Sequence, residues 1–324
     1  MRTITAKAKY TDDEIKKLEG YFVQDHHIDT IIDYDCDAYK ENGEPLFFFR
    51  KNVIPSNICE QAYKSLRHAV AKGGNRGSAG GVPPDLTKNS KGENLIKGGK
   101  TRGYRINKNG TVSKTHTAFN HVESGIAGFF DRQTRFPYCR ETSFNQNQFE
   151  KFKSGYPYIK YISDLFKEVC PDRWQNQKNM IDKTTKDFYI PNTVFSTITI
   201  NRNFRTAIHK DKGDLPEGFG NLGVLQAGNY EGAITVLPKY KVGFDVRSGD
   251  VCFFDVHEYH GNTAIKGKGK FERISVVCYY RKNMIFCKSA QEEMEIAKRL
   301  QNRANLNKWK FAFLHIKELI IKLH

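Results

Sequence analysis

Residues 193–214, TVFSTITINRNFRTAIHKDKGD, alternate β-branched and polar side chains and then run into a histidine and an aspartate two positions apart, His209 and Asp211. Period-two alternation marks a strand with one buried face. Further short runs follow at LGVLQA, GAITVLP, GFDVR, DVCFFDV and RISVVCYYR, separated by Gly, Pro and Asn. Many short strands at this spacing predict a β-barrel or sandwich. The expected fold is therefore α+β, with a double-stranded β-helix (a cupin-like jelly roll) over residues 190–284 and helices flanking it on the N-terminal and C-terminal sides.

Working outward, TDDEIKKLEG (residues 11–20) opens with a Thr11 cap and acidic residues in the first turn, which predicts a short helix. EPLFFFRKNVIPSNICEQAYKSLRHAVAKG reads as a strand, a Pro-marked turn and a helix from Ser56 to Ala71 that stops at Gly73 and Gly74. Between Phe144 and Asp187 the apolar positions 158, 159, 162, 165 and 166 predict a helix packed on the sheet. From Ser289 the tail has no Gly or Pro and begins with a capping box, Ser289 and Glu292, so one or two helices are expected over 289–324. The organisation expected is one domain over 1–324. Residues 1–70 support the core, 71–115 form a basic flap, 190–284 are the catalytic core, and the terminal helices close the chain.

The formal net charge of +16 and pI near 9.4 point to a polyanionic partner, most simply nucleic acid. Half of that excess sits in residues 71–115, where ten Lys or Arg face two acids, Asp85 and Glu93, among ten glycines. Read blandly this is a solvated loop. Read functionally it is a flap whose backbone approaches phosphates and whose cations neutralise them. No apolar run is long enough to span a membrane and the N-terminus lacks the apolar core of a signal peptide, so a soluble, intracellular protein, nuclear or cytoplasmic depending on the host, is expected. The sequence leaves the oligomeric state open, with a monomer favoured. The seven cysteines are scattered singly with no C-x-x-C, and reduced thiols without disulfides are expected.

In a jelly roll, two imidazoles and one carboxylate on adjacent strands hold Fe(II) on three sites and leave three open. His209 and Asp211 supply the first pair, and DVHEYHGNT offers two candidates for the third ligand, His257 and His260. Arg273 heads the run RISVVCYYR, where a buried guanidinium can pair with the distal carboxylate of 2-oxoglutarate. Alone, His-x-Asp is a weak signal. The order His-x-Asp, strands, His, Arg makes an iron- and 2-oxoglutarate-dependent oxygenase the leading mechanism.

The segment HGNTAIKGKGKFERISVVCYYRKNM resembles the closing part of the TET/JBP family of nucleic-acid 5-methylpyrimidine dioxygenases. GNRGSAGG and SGIAGFFDR upstream are similar to segments that precede the barrel there. The resemblance selects His260 over His257, adds Ser275 as a 2-oxoglutarate contact, and places Asp214, of the run His209, Asp211, Asp214, at the flipped base. It implies Fe(II) and 2-oxoglutarate as cofactors, ascorbate as a candidate reductant, and DNA as partner. The expected activity is hydroxylation of a flipped 5-methylpyrimidine in DNA, 5-methylcytosine to 5-hydroxymethylcytosine and onward, with a JBP-like thymine hydroxylase or a diverged relative as the alternative. Several 5-methylcytosine-oxidising members carry histidine eight residues after the oxoglutarate arginine, where this chain has Arg281. Arg281, Arg76, Arg102 and Arg105 are further candidate substrate contacts, and Phe129, Phe130 and Phe204 candidate stacking partners. A hydroxylase of a protein or small molecule accounts for the triad but not for the charge. A non-catalytic DNA-binding module accounts for the charge but not for the triad.

Overall fold

The structure is a computed structural model that describes residues 1–73, 76–81, 103–106, 109, 111–118, 120–267 and 269–302. Its main element is a ten-stranded sheet in the order Arg2–Ala6, Cys36–Lys40, Pro45–Arg50, Val251–Phe254, Gly220–Ala227, Glu272–Tyr279, Thr197–Arg202, Val122–Phe130 and Ala71–Gly73, with Arg140–Glu141 joined to Val122–Phe130. The alternating stretch at 193–203 supplies one of its inner strands. Thr197–Arg202 pairs antiparallel with Glu272–Tyr279 on one side and Val122–Phe130 on the other. A second sheet of four short strands runs Gly261–Asn262, Thr235–Leu237, Val242–Phe244 and Thr30–Ile32. The fold is thus mixed α/β around one large sheet.

Alternation sorts the side chains of the large sheet into two layers. On Glu272–Tyr279 and the residue after it, Ile274, Val276, Cys278 and Tyr280 enter the core that also holds Tyr158, Ile159, Ile162 and Phe166 of the Tyr156–Val169 helix. Arg273, Ser275, Val277 and Tyr279 point the opposite way, into a cavity. Its opposite wall includes Thr235 and Asn262 of the small sheet. A separate apolar cluster, with Phe47, Phe49, Leu222, Val224 and Phe244, packs strands of the two sheets together. Burying a side chain of this size stabilises by about 1.5–3 kcal/mol relative to exposure, so the cavity is lined by a rigid frame.

Several local expectations hold. The helix Asp12–Lys16 has a Thr11 capping box with Glu14, and Ser289 with Glu292 caps the helix over 290–302. Phe144 to Asp187 contains four helices, Ser143–Asn147, Phe149–Ser154, Tyr156–Val169 and Pro171–Ile181. The helix from Ser56 ends earlier than expected, at Leu66. The chain then makes a 3-10 turn over Arg67–Ala69 so that Ala71–Gly73 can pair with Val122–Ser124. The expectation of thiols without disulfides is corrected: Cys139 and Cys287, 148 residues apart, are bonded, with Cα atoms 5.7 Å apart. Tertiary proximity sets such a pair, and spacing along the chain does not record it. The other five cysteines are free and buried. Most of the 71–115 segment and the tail beyond 302 lie outside the described residues.

Candidate metal centre and substrate cavity

His209 and His260 face each other as an antiparallel bridge, each backbone N–H donating to the other's carbonyl at 2.9 Å. This close approach depends on Gly261, where a Cβ would stand 3.1 Å from the Ala207 and Ile208 backbone. The imidazole centroids are 4.3 Å apart. His209 Nδ1 lies 2.8 Å from the Ala207 carbonyl and His260 Nδ1 lies 3.0 Å from the Glu258 carbonyl. A carbonyl only accepts, so both Nδ1 atoms carry the proton and both Nε2 lone pairs are free. Asp211 lies between them, its two carboxylate oxygens 3.6 Å from His209 Nε2 and His260 Nε2 respectively.

One ligand atom from each of His209, Asp211 and His260 thus falls within 4.8 Å of the others. Two nitrogen donors with fixed tautomers and one carboxylate fit the facial donor set of a non-haem Fe(II) site. Burial, with His209 alongside, pulls the His260 pKa down to about 4 against the pull of Asp211, so the ring is neutral and able to ligate. Phe254 closes its other side in an edge contact at 5.2 Å. His257, the alternative third ligand, is outside this group; its backbone N–H donates to Asp255.

The cavity above these residues has a volume of about 350 Å³ and is lined by Arg273, Ser275, Phe204, Asn262, Asp214 and Arg281, among others. Arg273 is 3% exposed, and its Nε has no hydrogen-bond partner. Its backbone is held at both polar atoms by Asn203, which fixes where the side chain starts. Among the described residues it has no carboxylate within 4.0 Å, and burial pulls its pKa down. Ser275, two residues along the same strand face, adds a hydroxyl to the same wall.

Asp214 and Arg281 form a bridge of their own in the cavity wall. Arg281 donates from Nε and Nη2 to Asp131 at 2.8 Å, so its guanidinium is anchored before any ligand arrives. Asp214 is buried and its Oδ2 has no partner. Burial and the nearby Asp211 raise its pKa well above the usual carboxylate range, against the pull of Arg281. Asp131 was missed by sequence reasoning. Its signal was its place at the end of SGIAGFFDR, but an acid at a strand end looks like any turn residue.

Arg76 reaches the cavity and donates to the Gly125 carbonyl at 3.0 Å, while Ala79 accepts from the Ala207 N–H at 2.9 Å. The start of the glycine-rich segment is therefore docked against the Val122–Phe130 strand and the stretch of chain that leads to His209. Arg102 and the Arg105 side chain lie outside the described residues. Of the aromatic candidates, Phe204 lines the cavity, Phe129 is packed in the core against Phe188, and Phe130 lies under Arg140 and Arg281. No helix among the described residues is long and apolar enough to cross a membrane.

Residues 125–282 match the family Tet_JBP, described as the oxygenase domain of the 2OGFeDO superfamily. The chain is 40% identical over 163 residues to "Thymine dioxygenase JBP1" of Trypanosoma brucei brucei, covering 49% of this chain and 19% of that protein. It is 37% identical over 182 residues to "Bifunctional helicase and thymine dioxygenase JBP2" of Leishmania tarentolae, covering 55% and 16% respectively. The chain thus spans about a fifth or less of the length of these relatives. Among solved structures, "NgTET1 in complex with 5mC DNA" overlaps 83% of this chain and 86% of that one with a TM-score of 0.53 at 14% identity, a likeness of fold.

Proposed function

From the match of residues 125–282 to the Tet_JBP family of oxygenase domains, we propose that the chain is an Fe(II)- and 2-oxoglutarate-dependent dioxygenase that hydroxylates the 5-methyl group of a pyrimidine in DNA, thymine being the favoured base. The observation that carries this is the coincidence, in one cavity, of two free imidazole Nε2 atoms and a carboxylate with a buried arginine that meets no carboxylate among the described residues. In this reading the two sheets are the halves of a double-stranded β-helix.

His209, Asp211 and His260 would hold Fe(II), and Arg273 with Ser275 would bind the distal carboxylate of 2-oxoglutarate. When bound, the iron with 2-oxoglutarate and dioxygen would supply the oxidation that replaces a methyl C–H bond by C–OH, one oxygen atom going to the methyl group and the other to the succinate formed, with CO2, from 2-oxoglutarate. The chain does the rest. Arg273 orients the co-substrate by a charge-assisted, two-pronged hydrogen bond. Phe204 and Phe254 keep part of the cavity apolar. A base inside a duplex cannot present its methyl to such a site, so the nucleotide leaves the stack and enters the cavity. There Asp214 and Arg281 meet its polar edge, with Asp131 keeping Arg281 in place. Arg76 and the basic segment after it meet phosphates.

Thymine is favoured because the named relatives at 40% and 37% identity are thymine dioxygenases and because Arg281 stands where histidine is expected for 5-methylcytosine. The fold likeness to NgTET1 with 5mC DNA supports 5-methylcytosine as the second reading. The test is incubation with Fe(II), 2-oxoglutarate and ascorbate on DNA containing 5-methylcytosine as well as thymine, followed by nucleoside mass spectrometry. The expected product is 5-hydroxymethyluracil. 5-Hydroxymethylcytosine alone would replace thymine by 5-methylcytosine, and no oxidised base would overturn the nucleic-acid reading.

A further inference from the structure

Residues 131–140, DRQTRFPYCR, leave the end of the Val122–Phe130 strand beside the cavity and carry three arginines and one acid. Two of these charges are accounted for internally: Asp131 holds Arg281, and Arg132 pairs with the buried Glu293. Arg135 and Arg140 have no carboxylate within 4.0 Å among the described residues. They are nevertheless ordered, by rings. Arg281 lies 5.9 Å and Arg140 4.7 Å from the Phe130 centroid, while Arg140 and Arg135 lie 4.2 Å and 5.1 Å from that of Phe136. Guanidinium and ring alternate from the cavity wall to the exposed Arg135.

The segment is fastened at its far end. Cys139 is bonded to Cys287 and its backbone N–H donates to Glu293 at 2.9 Å, and Gln133 N–H donates to the Phe136 carbonyl at 2.9 Å. Arg140 keeps one buried Nη1 without a partner, and burial together with the Arg281 charge lowers its pKa. Cations held by stacking lose little side-chain freedom on meeting an anion, so their charge is available at low entropic cost. Two such cations separated by a ring match a strand in which phosphates alternate with flat bases.

We propose that Arg135 and Arg140 form a phosphate-binding ladder for the nucleic-acid strand that delivers its base into the cavity. Arg140 takes the phosphate beside the extruded nucleotide and Arg135 the next one outward. The proposal rests on the nucleic-acid reading above and adds to it a binding track outside the glycine-rich segment.

The test is a salt titration of binding to a short fluorescent DNA duplex, by anisotropy, with wild type, Arg135→Gln, Arg140→Gln and the double variant, each checked by circular dichroism and thermal melting. The exposed Arg135 leaves the fold unaffected when replaced, so that variant reads the ladder even if Arg140→Gln misfolds. The double variant is expected to bind about tenfold more weakly at low salt, with a salt slope smaller by about two, and Arg135→Gln alone smaller by about one. Arg140→Lys should restore the salt slope, because the charge is kept, but only part of the affinity, because an ammonium does not stack between Phe130 and Phe136 as the guanidinium does. An unchanged slope in a folded Arg135→Gln or double variant overturns the ladder and leaves the activity intact if wild type still oxidises the base. A ladder-dependent slope without any oxidised base supports the ladder and overturns the proposed activity. Ladder-dependent binding of polyglutamate with none of DNA overturns the occupant proposed here.

Discussion

Arg273 and Arg281 stand eight residues apart, at the start of the Glu272–Tyr279 strand and just past its end, and both line the same cavity. Arg281 meets a buried carboxylate, Asp131, at 2.8 Å; Arg273, more deeply buried, meets none among the described residues. A buried charge without a partner is costly, whereas a paired one is largely compensated. The difference separates two uses of one side chain. Arg273 is set to receive a carboxylate from outside, and Arg281 is a donor fixed in advance so that a ligand can be read against it.

The largest effect should come from Arg273→Met. By calorimetry, 2-oxoglutarate affinity should fall by about a hundredfold or more, the worth of a buried charge-assisted pair. The same variant without co-substrate should melt higher than wild type, since a buried charge that no carboxylate among the described residues compensates is gone. A lower melting temperature would show that Arg273 is compensated within the protein. Next, Cys139→Ser with Cys287→Ser removes the fastening of the segment that carries Asp131. Closing a loop of 148 residues is worth about 2–5 kcal/mol, to be read by denaturant unfolding. Asp131→Ala should then destabilise by about 1–3 kcal/mol, because the part-buried Arg281 loses the carboxylate that holds it, the opposite sign to Arg273→Met. Equal signs for the two would dissolve the distinction.

The smallest effect concerns Asp214, whose folded-state pKa lies above the unfolded value. The folded chain therefore holds this proton to higher pH than the unfolded chain, and stability falls as pH rises from about 4 through the folded pKa. Asp214→Asn removes that loss, so its melting temperature should exceed that of wild type at neutral pH, and by less near pH 4. A constant difference across pH would mean that the carboxyl is not the group responsible.

The parts of the site legible in the sequence are those that local patterning encodes. The alternation of 193–203 and 272–280 placed two central strands, and with the His-x-Asp, the later histidine and the arginine heading a strand, it singled out residues that the fold brings into one cavity. Proximity of His209 and His260 was only an expectation until Gly261 was seen to allow it. Other features were not legible because their partners are remote. The pairing of Phe47–Arg50 with Val251–Phe254 joins segments some 200 residues apart, and nothing in EPLFFFR names its neighbour. Cys139 and Cys287 carry no spacing pattern, and Asp131 acquires its role only through Arg281. Net charge hides local charge as well: residues 71–115 hold half of the excess, whereas Arg135 and Arg140, with no carboxylate within 4.0 Å among the described residues, scarcely change it.

The account stands or falls on whether the His209, Asp211 and His260 group drives oxidation of a DNA base at the expense of 2-oxoglutarate. The direct measurement is succinate and 5-hydroxymethyluracil formed on thymine-containing DNA by wild type and by Asp211→Ala, with Fe(II) supplied to both. The prediction is that wild type forms both products and Asp211→Ala forms neither while still binding the DNA. Base oxidation that persists in Asp211→Ala, or a wild type that binds iron, 2-oxoglutarate and DNA yet leaves every base unoxidised, would contradict it.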